Sequence, residues 1–193
     1  MALLSLALFL TANVMAQKLQ PFVYIGLGGS DYGSDDRSKG SWKLGGGAEW
    51  SFHKHWGVRP MLELTRKGAD HLILSNYREQ AWCARIYYVE IPVVAYYTGK
   101  LSEKWMILAG AGPYAAYGLR GKMEMWGDES YNVFGNEMDF KRFDYGFQMM
   151  VQVRKKHWAF SLAYEKGFVK LTDKFYKTSP YNRVFHINAM YYF

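Results

Sequence analysis

Cysteine is nearly missing from this 193-residue chain: Cys83 stands alone, so no intramolecular disulfide can form and a disulfide-stapled fold is excluded. Proline is scarce as well, with five in the whole chain, and set beside 18% aromatic residues this argues against a disordered polypeptide. Beyond the first residues no stretch approaches the roughly 18 continuous apolar residues of a membrane-crossing helix. Nothing reads as a long helix, a low-complexity tract, a repeat of fixed period or a linker between domains. The formal charge of +7 is not gathered into basic runs, since 24 Lys and Arg are spread among 17 Asp and Glu. That spacing excludes a nucleic-acid-binding surface as the expected role.

What is present begins with "MALLSLALFLTANVMAQ". A short apolar run is followed by Val14-Met15-Ala16, small residues at signal-peptidase spacing, so residues 1–16 are expected to be a signal peptide and 17–193 one exported domain. No Lys or Arg precedes the run, Ala2 to Leu10 is too short to span a bilayer, and no cysteine stands at the cleavage point to take a lipid.

The mature chain alternates apolar and polar residues in eight stretches: 22–29, 42–52, 56–67, 85–97, 104–120, 143–154, 158–167 and 184–193. In "FDYGFQMMVQV" the odd positions Phe143, Tyr145, Phe147, Met149, Val151 and Val153 make one oily face, with a polar face between them. Most stretches are near the length a tilted strand needs to cross a bilayer. Short connections (53–55, 98–104, 155–156) alternate with long ones (30–41, 68–84, 121–142, 168–183), so the long loops lie at one end of a meander. This is the asymmetry of outer-membrane barrels, with short periplasmic turns and long extracellular loops.

Alternation alone leaves open which face meets solvent, and a soluble antiparallel sandwich is the competing arrangement. Bulk decides between them, because the inside of a small closed barrel is crowded. Placing the turn at Lys155-Lys156 pairs Val153 with Trp158 and sets Gln152 against Ala159, Met150 against Ser161, Gln148 against Ala163 and Gly146 against Glu165. A three-residue turn at 53–55 sets Glu49 against Arg59, Gly47 against Met61 and Gly45 against Glu63. On the polar face large meets small, or opposite charges meet. The oily faces show no such economy and point outward, toward lipid. Trp42, Trp50, Phe52, Trp56, Trp105, Trp158 and Tyr191 fall near strand ends, as interfacial aromatic belts do. The fold expected is all-β, an eight-stranded antiparallel up-and-down transmembrane β-barrel.

"YVEIPVVAYYTGK" at 88–100, "ILAGAGPYAAYGLRGK" at 107–122, "FDYGFQMMVQV", "FSLAYEKGFVKL" and the final "INAMYYF" resemble the PorT-type outer-membrane β-barrel family across nearly the whole mature chain. The distinctive parts are Glu90-Ile91-Pro92, Gly110-Ala111-Gly112-Pro113 and the aromatic C-terminus, which looks like the signal read by barrel-inserting machinery. The resemblance implies a bacterial outer-membrane barrel; members share a fold more than an activity, and one branch is tied to surface-protein secretion.

Inward positions are expected to hold Lys43, Glu49, Arg59, Glu63, Glu90, Asp144, Gln148, Gln152, Arg154, Glu165, His186 and Asn188. With eight strands these fill the interior, so they should pair as a charged plug; a narrow ion or small-solute pore is the alternative use of the same residues. Ser161, His186 and Glu165 fall on neighbouring inward positions and could make a hydrolytic set, yet a packed lumen admits no substrate, so no enzyme is expected. His53 and His55 in a turn lack a third ligand, "GGSDYGSDD" lacks EF-hand spacing and "GLGG" is followed by no helix, so neither metal nor cofactor is expected. The longest loop, with Trp126, Tyr131 and Phe134, is the expected contact for a protein partner or lipopolysaccharide, or a hairpin extending the fifth and sixth strands above the membrane; an ordered extension packing on itself is the competing reading, and "HLIL" at 71–74 invites the same. The chain is expected to be a monomer surrounded by outer-membrane lipid, with both termini periplasmic.

Overall fold

The computed structural model describes residues 19–33, 37–75, 78–125, 129–136, 138–173 and 180–193, with backbone alone for 71–75, 78–81, 125 and 129. The expected signal peptide, residues 1–16, lies outside the described residues, as do Trp126 and the side chains of "HLIL". Nine strands form: β1 Leu19–Asp31, β2 Arg37–Ser51, β3 Trp56–Ser75, β4 Arg78–Lys100, β5 Met106–Met125, β6 Glu129–Asn132, β7 Phe143–Lys155, β8 Trp158–Gly167 and β9 Arg183–Tyr192. Eight of them wall a closed antiparallel barrel in chain order, sealed by β1 pairing with β9, while β6 pairs only with the far end of β5. Closure gives the barrel wall no free edge, which lets a sheet sit in hydrocarbon with its backbone groups paired.

The period-two pattern sorts side chains between the faces all round the barrel. On β7, Phe143, Tyr145, Phe147, Met149 and Val151 are exposed, while Asp144, Gln148, Met150 and Gln152 are buried. Ile25 (56%), Leu62 (58%), Leu162 (50%) and Ile187 (56%) have the same outward exposure on other strands, so the apolar surface is a continuous girdle and not a patch. The soluble sandwich is excluded by closure and by this inversion.

Aromatic rims bound the girdle. Near the short turns lie Trp56 against Tyr97 at 5.1 Å and Trp158 against Tyr191 at 5.1 Å; at the other rim Trp42 meets Tyr87 edge-on at 6.2 Å. From Trp56 to Arg66, which pairs with Tyr87, the strand covers ~34 Å at ~3.4 Å per residue. Tilted by ~40°, that is ~26 Å of height, matching the apolar band of outer-membrane barrels.

The β2–β3 register is the expected one, with Gly47 opposite Met61 and Gly45 opposite Glu63. The β7–β8 register differs by two residues: Lys155 pairs with Trp158, and the turn is Lys156-His157. Lys156 adopts φ 55°, the left-handed conformation a tight hairpin turn needs at its first central residue. The pairs become Gln152–Ser161, Met150–Ala163 and Gln148–Glu165, and Phe147 faces Lys166. A slip of two keeps each side chain on its face, so the inward assignment stands while one large pair, Gln148–Glu165, replaces an expected large-small pair.

Two of the expected long loops are mostly strand. Pairing runs out to Ser30–Lys39 between β1 and β2 and to Ser75–Arg78 between β3 and β4. Their inner faces stay apolar past the membrane rim, where Ala69, Ala84, Ile86 and Met123 are buried with Tyr32, Val133, Met138, Phe140 and Leu171. Burying that surface rewards continued pairing, so a lid covers the barrel end opposite the short turns. On β5 a single-residue bulge contributes: Tyr88 pairs with Gly118 but Tyr87 with Arg120, leaving Leu119 extra. The bulge turns Gly121 and Met123 inward and Arg120 and Lys122 outward.

Candidate functional site

The lumen holds two charge clusters stacked along the axis. Toward the short turns, Arg59 pairs with Glu49, its Nη2 donates to Tyr192 Oη at 2.9 Å, and Arg154 reaches Glu49 at 3.5 Å. Tyr192 donates to Glu49 at 2.6 Å and accepts from Gln152 Nε2 at 2.9 Å. Arg59 is fully buried and lies over Phe22 at 4.9 Å, while Arg154 stacks on Tyr192 at 3.8 Å. Here guanidinium planes use aromatic faces as well as carboxylates, suiting the delocalised cation of arginine.

The second cluster sits mid-barrel. Lys43 on β2 bridges Glu63, at 3.2 Å, and Glu165; Lys67 on β3 bridges Glu90 and Glu165, the latter at 3.2 Å. Tyr24 donates to Glu63, and Lys67 lies over Tyr114 at 4.6 Å. Nearby, Asp144 accepts from Tyr114 at 3.1 Å and from Asn182 Nδ2 at 2.8 Å. Removing such groups from water costs several kcal/mol per ion, so the pairs are a condition of the fold. Of the expected lumen residues, Glu49, Arg59, Glu63, Glu90, Asp144, Gln148, Gln152, Glu165 and His186 are buried and Arg154 is half-buried at the lumen mouth. Lys67 and the tyrosines Tyr24, Tyr114 and Tyr192 were missed. Lys67 shares the parity of Arg59 and Glu63, which was the available signal.

Ser161 and His186 hydrogen-bond to other partners, not to each other. Ser161 accepts from Asn188 Nδ2 at 2.9 Å, and the serine beside His186 is instead Ser41, 2.9 Å from Nε2. Ser41 donates to the Arg66 carbonyl at 2.6 Å, so His186 must be the donor in the pair, the reverse of a general base. His186 Nδ1 finds no hydrogen-bond partner among the described residues. Glu63, Glu90 and Glu165 have oxygens within 4.8 Å of one another, a spacing open to a cation. The Lys43 and Lys67 ammonium groups already fill that role. At the turn, His55 Nδ1 lies 2.9 Å from the Thr98 carbonyl oxygen and its ring stacks on Tyr97 at 5.5 Å.

Of the expected loop contacts, Tyr131 and Phe134 are half-buried against the lid. Phe134 sits under Arg142, at 4.3 Å, and over Gly118, where any Cβ would strike its ring. Among the described residues of the longest loop, Val133, Met138 and Phe140 pack onto the barrel end against Ala69, Ala84 and Ile86. Beyond the rim, Lys39 donates to Asp70 at 2.7 Å; burial would lower the lysine, yet the carboxylate holds it above its ordinary value. The Lys170 ammonium beside Asp173 holds that carboxyl below the usual range.

A closed barrel with an apolar exterior, two aromatic rims and a paired, polar interior is an outer-membrane β-barrel. The family described as outer membrane protein beta-barrel domain matches residues 5–173, and the chain belongs to it. Among solved structures, Neisserial surface protein A aligns with a TM-score of 0.51 at 10% identity, over 90% of this chain and 97% of that one. Ail, the attachment invasion locus protein of Yersinia pestis, gives 0.48 at 14% identity over 91% and 99%. OprG from Pseudomonas aeruginosa gives 0.47 at 12% identity over 91% and 97%. At these identities the likeness is one of fold. No curated protein matches the chain.

Proposed function

We propose that the chain is a monomeric, non-conducting, non-enzymatic outer-membrane barrel that serves as a structural or interaction protein, with both termini periplasmic and the lidded end outside the cell. One observation carries the closed reading: Lys43, Arg59, Lys67, Tyr88 and Tyr192 lie fully buried inside the barrel and occupy its cross-section. The cavity lined by Glu49, Tyr96, Gln152 and Arg154 at the short-turn end holds about 90 Å³, room for a few waters at most. Planar-bilayer recording of the refolded protein tests this: a quiet membrane is expected, and steady unitary openings would favour the small-solute or ion pore. Release of fatty acid from phospholipid that disappears in Ser161→Ala and His186→Ala would restore the lipid-modifying enzyme. Short turns and strand ends sharing one rim support the periplasmic placement of the termini.

The finer assignment to the PorT-type branch, and through it to secretion of surface proteins, rests on Glu90-Ile91-Pro92 and Gly110-Ala111-Gly112-Pro113. In the barrel these segments face each other: Pro92 pairs with Tyr114, and a Cβ at Gly112 would collide with the Val93 carbonyl oxygen. The motifs therefore have a packing reason of their own. Crosslinking in native membranes followed by pull-down tests the secretion link, with surface-secretion components expected among the partners and their absence counting against it.

A further inference from the structure

Just above the outer rim, on the β5–β7–β8 side, cations gather, and among the described residues the anion beside them is Asp173. The β5 bulge aims Arg120 and Lys122 outward, and neither forms an ion pair among the described residues, nor does Lys141. Arg142 is held by its Nη1 donating to the Gly118 carbonyl at 2.9 Å and by the Phe134 ring beneath it. Arg142 is shared by two clefts. One, about 300 Å³, is lined by Arg120, Lys122, Ser130, Tyr131 and Asn132. The other, about 600 Å³, has Lys141 and Lys170 above an apolar floor of Phe143, Tyr145 and Phe168, which belong to the lipid-facing girdle. Among the described residues Lys170 pairs with Asp173, whose carboxyl also feels Lys141.

We propose that these adjoining clefts bind one phosphorylated glycolipid of the outer leaflet. The reasoning is one of matched layers. A ligand there meets hydrocarbon-compatible aromatics below, a ring of cationic donors at headgroup height, and hydroxyl and amide groups above. A free anion would use only the middle layer, and an acidic protein would have no use for the floor. Phosphate oxygens accept from Arg142 and its neighbours as charge-assisted hydrogen bonds, the saccharide meets Ser130, Tyr131 and Asn132, and acyl chains lie on Phe143, Tyr145 and Phe168. This rests on the orientation proposed above, since only then do the clefts face the outer leaflet.

The test uses the full chain refolded in zwitterionic detergent micelles, where orientation plays no part. Retention of a bis-phosphorylated diglucosamine lipid is compared by native mass spectrometry with that of its dephosphorylated form. Wild type should retain the phosphorylated lipid about tenfold more tightly, and Arg120→Gln with Lys122→Gln should abolish the preference. Those two side chains support no part of the fold, so heat-modifiable gel migration should stay normal; Lys54→Gln at a periplasmic turn should keep the preference. Equal retention of both lipids, or an unchanged double variant, would overturn the site. Displacement of the lipid by millimolar inorganic phosphate would overturn the glycolipid in favour of a free anion. Amine labelling of Lys122 in intact cells reads orientation separately: labelling only after cell breakage would sink the orientation and leave the micelle result standing.

Discussion

Lys43→Met is the most demanding test of the packed interior. In the native barrel three carboxylates, Glu63, Glu90 and Glu165, share two ammonium groups, Lys43 and Lys67, with all five side chains essentially without solvent exposure. Methionine preserves much of the volume and removes the charge. Glu165 keeps Lys67 at 3.2 Å, but Glu63 loses its ion pair and retains the Tyr24 hydroxyl. Breaking a buried pair by deleting one partner costs ~3–5 kcal/mol, between about a hundredfold and a few thousandfold in the folding equilibrium. Urea unfolding from phospholipid vesicles, followed by tryptophan fluorescence, measures it as a lowered midpoint at unchanged slope. Lys43→Met combined with Glu63→Gln should recover more than half of the loss, because the orphaned charge is gone. If the single variant lies within about 1 kcal/mol of wild type, the carboxylates are solvated and the lumen is wet, which would refute the closed interior and favour a pore.

Leu162→Arg, on the lipid face of β8 between Trp158 and Lys166, should destabilise the vesicle-inserted barrel by ~2–4 kcal/mol in the same assay; a neutral result would mean that this face does not meet lipid. Gly112→Val should abolish or sharply reduce refolding yield on heat-modifiable gels, since the Val93 backbone occupies the space a side chain needs. The exposed Asp173 has a carboxyl lowered by Lys170, so its contact is complete above the ordinary carboxylate pKa and is lost as pH falls through the lowered value. Lys170→Gln should return the Asp173 titration, followed by NMR, to near its ordinary ~3.9; no change would show that the ion pair does not form in solution.

The wall of the barrel was readable because lipid outside and a crowded lumen inside impose opposite demands at every second residue. Glycines opposite Met61 and Glu63 fixed β2–β3 from bulk alone. The same argument placed β7–β8 two residues off, because "VRKKHW" offers no Gly or Asn to mark a turn and Lys156 carries the positive φ unannounced. A slip of two keeps parity, so Asp144, Gln148, Gln152 and Glu165 are buried although their cross-strand partners differ. The region above the rim was legible least. Ser, Gly and Asp there resemble loop, and only the burial of Ala69, Ile86 and Met123 under residues distant in sequence explains the continued pairing. The Leu119 bulge, which decides where Arg120 and Lys122 point, leaves no mark in composition.

The mid-lumen charges have a consequence for how the barrel is made. Lys43, Glu63, Lys67 and Glu90 all come from the consecutive strands β2, β3 and β4, two cations and two anions, so that half-sheet is self-neutral as soon as its hairpins form. Glu165 comes from β8, which is separated from β2 along the wall by β9 and β1. Until the seam zips, it has no ammonium to meet. Zipping and the pairing of Glu165 are then a single event, and Glu165 acts as a latch whose charge stays unpaired until the barrel closes. Time-resolved insertion into vesicles should therefore show Glu165→Gln relaxing that cooperativity, with open intermediates that the native chain never accumulates.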